Sequence, residues 1–105
     1  MNSAKAIPML LGLLWGAVLA VPAQAVDLAA GKDKYKVCAG CHGPTGLGNA
    51  ALGYPQLAGK EASYVAEQLR AFKSGRRESA TMQAMVTGLS ESDIDNVAAY
   101  VATLR

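Results

Sequence analysis

The two cysteines and the single histidine of this chain lie within five residues, in the run Cys38-Ala-Gly-Cys41-His42. The spacing C-x-x-C-H is that of covalent haem attachment. Two thiols one helical turn apart can each add to a vinyl group of one porphyrin, and the next histidine is then held at the iron. The motif predicts one haem c, joined by thioethers to Cys38 and Cys41, with His42 as an axial ligand.

Three other interpretations of the cysteine pair compete with haem attachment. A thioredoxin-like redox pair lies at the start of a helix in an α/β fold, whereas this pair ends a helical pattern in a chain without strand patterns. A structural zinc site needs four ligands, and only two cysteines and one histidine are present. A Cys38–Cys41 disulfide would close a loop too short to stabilise a small domain much. Only the haem interpretation uses all three residues.

The first 25 residues have the pattern of a secretory signal peptide. Lys5 precedes an apolar run over residues 7–21, and alanines at positions 23 and 25 form a cleavage site. An uncleaved membrane anchor is the alternative, but a run of about 15 apolar residues falls short of the ~20 that span a bilayer. We expect cleavage after Ala25, export to the bacterial periplasm and one mature domain over residues 26–105.

The second axial ligand must come from a methionine, because the chain has no second histidine. Met1 and Met9 belong to the predicted signal peptide, so Met82 and Met85 remain. Spacing alone leaves both open, since residues three apart share one side of a helical turn. Met85 lies five residues before Ser90, where the last helix begins, so we expect Met85 to pack in the core and Met82 to bind iron. Paired His and Met ligands are typical of electron-transfer cytochromes.

The charge of the mature chain excludes one class of partner. Only Lys5 is lost with residues 1–25, which leaves nine Lys and Arg against eight Asp and Glu. A nearly neutral chain lacks the strongly basic character of a nucleic-acid-binding protein. A small basic patch for docking redox proteins is one hypothesis, and an ordinary solvated surface is the favoured one. The basic residues concerned are Lys32, Lys34, Lys36, Arg76 and Arg77.

Helix signals predict an all-α fold with three main helices. The first covers residues 28–39 with Asp27 as N-cap, the second covers residues 60–74 before Gly75, and the third follows the N-cap Ser90, with Asp93 in a capping box. Glycines and prolines predict long loops at residues 40–59 and 74–89. Loops this long need something to wrap around. The apolar face of the third helix consists of Ile94, Val97, Ala98, Val101 and Leu104.

The chain resembles the class I c-type cytochromes, and especially the small bacterial domain that forms each half of dihaem periplasmic cytochromes. Besides the haem motif, the likeness rests on Y-P-Q-L-A-G at residues 54–59, Leu89-Ser90 and A-A-Y at residues 98–100. It spans nearly all of residues 26–105 and implies the cytochrome c fold around one covalently bound haem. The dihaem relatives have two such domains, whereas this chain has one.

The resemblance also implies roles for individual residues. Met82 matches the distal iron ligand. Pro55 matches the proline whose carbonyl accepts the ring N–H of the proximal histidine. Gly31 and Tyr100 match the contact where the first and last helices cross.

The function implied is one-electron transfer between redox proteins of a respiratory-type chain, without enzymatic activity. A peroxidase or a gas sensor needs an open sixth iron position, and the available methionines argue against that. A subunit through which electrons enter or leave a larger dehydrogenase or oxidase stays open as the alternative. We expect redox proteins as partners, including transient contact with membrane respiratory complexes, and a monomer.

Overall fold

The computed structural model describes residues 25–105, and the predicted signal peptide lies outside them except for Ala25. Four α-helices follow one another: α1 (Leu28–His42), α2 (Ala62–Ser74), α3 (Ala80–Val86) and α4 (Glu91–Val101). One turn of 3-10 helix (Ala50–Leu52) interrupts the loop between α1 and α2. No helix within residues 25–105 is long and apolar enough to cross a bilayer. The predicted all-α architecture is confirmed.

Local capping determines where the predicted helices begin and end. The Asp27 side chain accepts the N–H of Ala30 at 3.0 Å and caps α1. Ser90 and Asp93 form the capping box of α4, with two reciprocal hydrogen bonds of 3.0 Å. Gly75 ends α2 at φ +83°, a conformation that glycine adopts without a Cβ clash. These short-range signals are readable without tertiary structure.

The three main helices are confirmed, but the segment predicted as a loop over residues 74–89 contains a short fourth helix, α3. The Ser79 hydroxyl caps this helix by accepting the N–H of Met82 at 3.1 Å. The helix has only seven residues. That length is too short to show an apolar period, and isolated helices this short are unstable in water. Contact with α2 stabilises it.

Helices α1 and α4 cross in direct backbone contact at Gly31. A Cβ added there would lie 2.1 Å from the Asn96 carbonyl oxygen and 3.1 Å from the Tyr100 Cβ. The rings of Tyr35 and Tyr100 pack beside the crossing, with their centroids 5.5 Å apart. The missing Cβ therefore permits the close approach of the two helices.

The hydrophobic core lies between α4 and the two helices packed on it. The predicted apolar face is confirmed, because all five residues are buried, although α4 ends at Val101 and Leu104 follows it. Tyr35 from α1 and Val65 and Ala66 from α2 pack against it. Fully burying a side chain such as Ile94 stabilises the fold by about 1.5–3 kcal/mol.

Candidate haem-binding site

The cysteine pair lies in the last turn of α1, which runs to His42, three residues beyond its predicted end. Helical structure through the motif brings Cys38 and Cys41 to one side of the turn. Gly43 ends the helix at φ +87°, and its N–H donates to the Ala39 carbonyl at 2.9 Å. Both cysteines are half-buried free thiols. Their placement suits attachment of both to one flat ligand.

The chemistry of Cys38 argues against a thioredoxin-like pair. Burial, and to a smaller extent the neighbouring Cys41, raises the pKa of the Cys38 thiol. Reactive C-x-x-C pairs need the opposite, a lowered pKa that produces a thiolate near neutral pH. Before haem is attached, the raised pKa thus favours the protonated thiol of Cys38.

Tyr35 forms a hydrogen bond with the residue that follows α1. Its hydroxyl donates to the Gly43 carbonyl at 2.6 Å. Burial, followed by the proximity of Cys38 and Tyr100, raises the pKa of Tyr35 to about 12. The phenol therefore remains a hydrogen-bond donor across the physiological pH range. It holds the turn that carries Cys41 and His42.

His42 is buried and points its Nδ1 at the carbonyl oxygen of Pro55, 2.8 Å away. A carbonyl can only accept a hydrogen bond, so Nδ1 must carry the proton. In the neutral imidazole the other nitrogen, Nε2, then has a lone pair for a metal. Nitrogen from a neutral histidine is a usual ligand of haem iron. The structure thus brings together the two residues that the resemblance pairs.

The loop that carries Pro55 is held by backbone hydrogen bonds. Asn49 and Tyr54 form an antiparallel bridge with N···O distances of 2.7 and 2.9 Å. The Gly46 carbonyl accepts the N–H groups of Leu57 and Ala58 at 2.7 and 2.9 Å. These bonds define the path of the chain on both sides of Pro55. The position of its carbonyl is therefore set by the fold of residues 43–59.

One cavity of about 980 Å³ joins the candidate site residues. Cys38, Cys41 and His42 line it from α1, and Met82 and Met85 line it from α3. Its volume is at the upper end of the ~300–1,000 Å³ usual for cofactor sites. Apolar side chains form much of its wall; these are Leu57, Val65, Leu69, Phe72 and Val97.

These residues fit a covalently attached haem. Two thiols on one side of a turn, an imidazole whose Nδ1 is hydrogen-bonded to a backbone carbonyl, a thioether sulfur and an apolar wall meet in one cavity. Histidine nitrogen and methionine sulfur are the axial donors of electron-transfer haem. Cys38 and Cys41 would hold the group through thioethers, and His42 and Met82 would hold its iron.

Helix α3 presents its methionines differently from the prediction. Met85 was expected to pack in the core, but it is 40% exposed, and Val86 is the buried residue of this helix at 1%. Met82 is half-buried. Residues four apart share a helix face, so Met82 lies on the inner face with Val86, and Met85 lies beside that face. Both methionines line the cavity, so Met82 as the ligand stays a prediction.

Four of the five basic residues have partners, and Lys32 is exposed. Three of them make surface ion pairs, and Arg77 stacks over the Phe72 ring at 4.5 Å and lines the cavity. Exposed pairs of this kind are worth little energy, but they neutralise the local charge. The solvated-surface interpretation is therefore favoured. The ion pairs are Lys34–Asp93, Lys36–Asp33 and Arg76–Glu67, with N···O distances of 3.6, 3.1 and 3.1 Å.

Comparison with known proteins gives matches along the same part of the chain. The family model "Cytochrome c" matches residues 28–105. Cytochrome c-554(548) of Halomonas halodenitrificans is 42% identical over 80 residues, which cover 73% of this chain and 95% of that protein.

Two longer relatives match over part of their length. The thiosulfate dehydrogenase electron acceptor of Thiomonas intermedia is 38% identical over 105 residues, which cover 100% of this chain and 45% of that protein. The crystal structure of reduced recombinant cytochrome c4 from Pseudomonas stutzeri superposes with a TM-score of 0.66 at 33% identity, covering 76% of this chain and 50% of that chain. The present chain thus spans about half the length of these two relatives. The family match and the cavity agree: the chain belongs to the cytochrome c family, has its fold, binds haem c covalently and carries electrons.

Proposed function

We propose that this cytochrome transfers single electrons between redox proteins in the bacterial periplasm, with His42 and Met82 as the axial ligands of its haem iron. The observation that carries the proposal is the single cavity shared by the cysteine pair, His42 and Met82. Haem, when bound, supplies an iron that exchanges one electron between ferrous and ferric states.

The chain's own residues hold and tune the site. Cys38 and Cys41 anchor the group at the end of α1. The Pro55 carbonyl accepts a hydrogen bond from His42 Nδ1–H, which orients the ring and raises its basicity as a ligand. Apolar side chains such as Leu69 and Phe72 exclude water from the cavity. A dry, rigid site would keep His42 and Met82 in place when the charge of the iron changes.

The absence of enzymatic activity is part of this proposal. Met82 lines the cavity and shares the inner face of α3 with buried Val86. A methionine bound at the sixth position leaves no site at the iron for peroxide or a gas.

Export is proposed on the signal-peptide pattern of residues 1–25. Ala25 and Val26 are exposed. The Asp27 N–H donates to the Asn96 side-chain oxygen at 2.9 Å, which attaches the next residue to α4. The folded domain thus starts directly after the proposed cleavage site.

A second candidate function is that of an electron-transferring subunit of a larger dehydrogenase. The specific support is the likeness to the electron acceptor of thiosulfate dehydrogenase, which extends over 100% of this chain. Size-exclusion chromatography of the native protein distinguishes the two candidates. A free carrier elutes as a monomer, whereas a subunit elutes with its enzyme.

A redox titration with a carbon monoxide test examines the main proposal. The purified holoprotein should titrate reversibly with one electron, and its ferrous form should not bind carbon monoxide at neutral pH. Rapid carbon monoxide binding together with peroxide turnover would identify a haem enzyme instead.

A further inference from the structure

Gly48 is close to the backbone of both His42 and Pro55. Its N–H donates to the His42 carbonyl at 2.8 Å. Its φ is +69°. A Cβ added to Gly48 would lie 2.4 Å from the Tyr54 carbonyl oxygen and 2.6 Å from both the carbonyl carbon and oxygen of Pro55. Real Cβ atoms essentially never approach other atoms within 3.0 Å, so a side chain here would displace backbone.

The Pro55 carbonyl oxygen in that contact is the atom that accepts the hydrogen bond from His42 Nδ1–H, with an N···O distance of 2.8 Å. We propose that Gly48 is a positioning residue for the iron ligand: its missing Cβ lets the Pro55 carbonyl come within hydrogen-bond distance of His42. The proposal rests on the proposed role of His42 as axial ligand. Gly48 acts through Pro55 and makes no contact with iron.

The surrounding hydrogen bonds determine which group must move. Asn49, the next residue, is bonded to Tyr54 in both directions at 2.7 and 2.9 Å. The atoms facing a Cβ at Gly48 are backbone atoms, so no flexible side chain can rotate away. The displacement must therefore lengthen either the Gly48–His42 bond or the Pro55–His42 bond. Both bonds hold the same histidine.

A weaker bond to Pro55 has a defined electronic consequence. The hydrogen bond from Nδ1 makes imidazole a more basic ligand, and a more basic ligand stabilises ferric iron. Moving the Pro55 carbonyl away from His42 should therefore stabilise the ferrous form and raise the reduction potential.

The test compares Gly48→Ala with Gly53→Ala. Gly53 lies in the same loop at φ +79°, and no atom of the described residues comes within 4 Å of a Cβ added there. Both variants force alanine into the left-handed region, so both should lose stability. Only Gly48→Ala should raise the potential of the holoprotein and shift the proton NMR signal of His42 Nδ1–H in its reduced form. Equal shifts in the two variants, or none in Gly48→Ala, would overturn the proposal.

A double variant covers the case in which Gly48→Ala attaches no haem. Pro55→Ala keeps the carbonyl but frees the φ that the proline ring holds, so the backbone can move away from Ala at position 48. Gly48→Ala/Pro55→Ala should regain holoprotein with a potential above that of the unmodified protein. Failure to regain holoprotein, or regaining it at the original potential, contradicts the proposal.

The spectrum of the unmodified holoprotein separates this proposal from the proposed function. A low-spin spectrum with a sulfur-to-iron charge-transfer band establishes the His and Met ligands. If that spectrum is present and Gly48→Ala leaves the potential unchanged, only the role of Gly48 is rejected. If the spectrum itself is absent, the proposed function fails.

Discussion

His42 Nδ1 lies 2.8 Å from the carbonyl oxygen of Pro55, thirteen residues further along the chain. The two residues come from different parts of the fold, the last turn of α1 and the loop before α2. This contact assigns the ring proton to Nδ1 and leaves the Nε2 lone pair for a metal. The orientation of the ligand therefore depends on how the loop at residues 43–59 folds.

Replacing the two methionines of α3 should separate their roles. Met82→Ala should abolish the weak sulfur-to-iron charge-transfer band of the oxidised holoprotein and lower its potential, because a thioether ligand favours ferrous iron. Met85→Ala should keep the band, since Met85 lies beside the inner face of the helix. Visible absorption and a redox titration measure both effects. A band lost only in Met85→Ala would show that the ligand assignment is reversed.

Adding a methyl group at the crossing of α1 and α4 should destabilise the protein. In Gly31→Ala the new Cβ meets the Asn96 carbonyl, and overpacking of this kind typically costs about 1–3 kcal/mol. Gly88→Ala is the control, because no described atom lies within 4 Å of its added Cβ and its φ is not positive. Chemical denaturation of the holoproteins gives the free energy of unfolding. Equal free energies of unfolding for the two variants would mean that α1 and α4 can move apart at Gly31 without loss of stability.

Removing the charge of Asp93 should destabilise α4 in a pH-dependent way. The hydrogen bond from the Ser90 backbone N–H, with smaller contributions from the Ser90 hydroxyl and Lys34, lowers the pKa of Asp93. A carboxyl with a lowered pKa stabilises the fold above its ordinary pKa of about 4, and this contribution disappears as pH falls through the lowered value. Asp93→Asn should therefore be less stable than the original protein at pH 7 and approach its stability in acid.

Urea unfolding at a series of pH values measures this dependence. Asp33→Asn is the matched control, since Asp33 has only an exposed ion pair with Lys36 and surface charges of this kind contribute little. A stability difference for Asp93→Asn that stays constant from neutral pH into acid would exclude the charge as its cause.

Haem should be required for stable folding. The cavity of about 980 Å³ is large for a chain of 81 described residues, and a group that binds only the native state adds its binding energy to stability. Protein made with both Cys38→Ala and Cys41→Ala, without haem, should be largely unfolded by far-ultraviolet circular dichroism. A cooperative melt near the melting temperature of the holoprotein would show that the polypeptide folds stably without haem.

The mature protein should begin at Val26. Signal peptidase recognises the small residues at positions 23 and 25. The intact mass of the native protein should equal residues 26–105 plus one haem. A mass that includes residues 1–25 would point to a membrane anchor.

Features that depend on neighbouring residues could be predicted before the fold was known. The haem motif could be read because its three residues lie within one helical turn of each other. The caps Asp27 and Ser90 and the C-terminal glycine Gly75 could be read because capping acts over three or four residues. The buried face of α4 followed from its apolar period. Each of these depends on short-range geometry that every helix shares.

Features that depend on distant residues became visible only in the folded molecule. Helix α3 is too short to be stable alone. Its contact with α2 and the packing of Val86 determine its register. In that register Met85 is exposed and is not part of the core. The glycine at position 48 looked like one of many loop glycines until the fold brought Tyr54 and Pro55 against it. The stabilising contacts here join segments that are distant in the sequence. A local sequence pattern does not predict which segments will pack together.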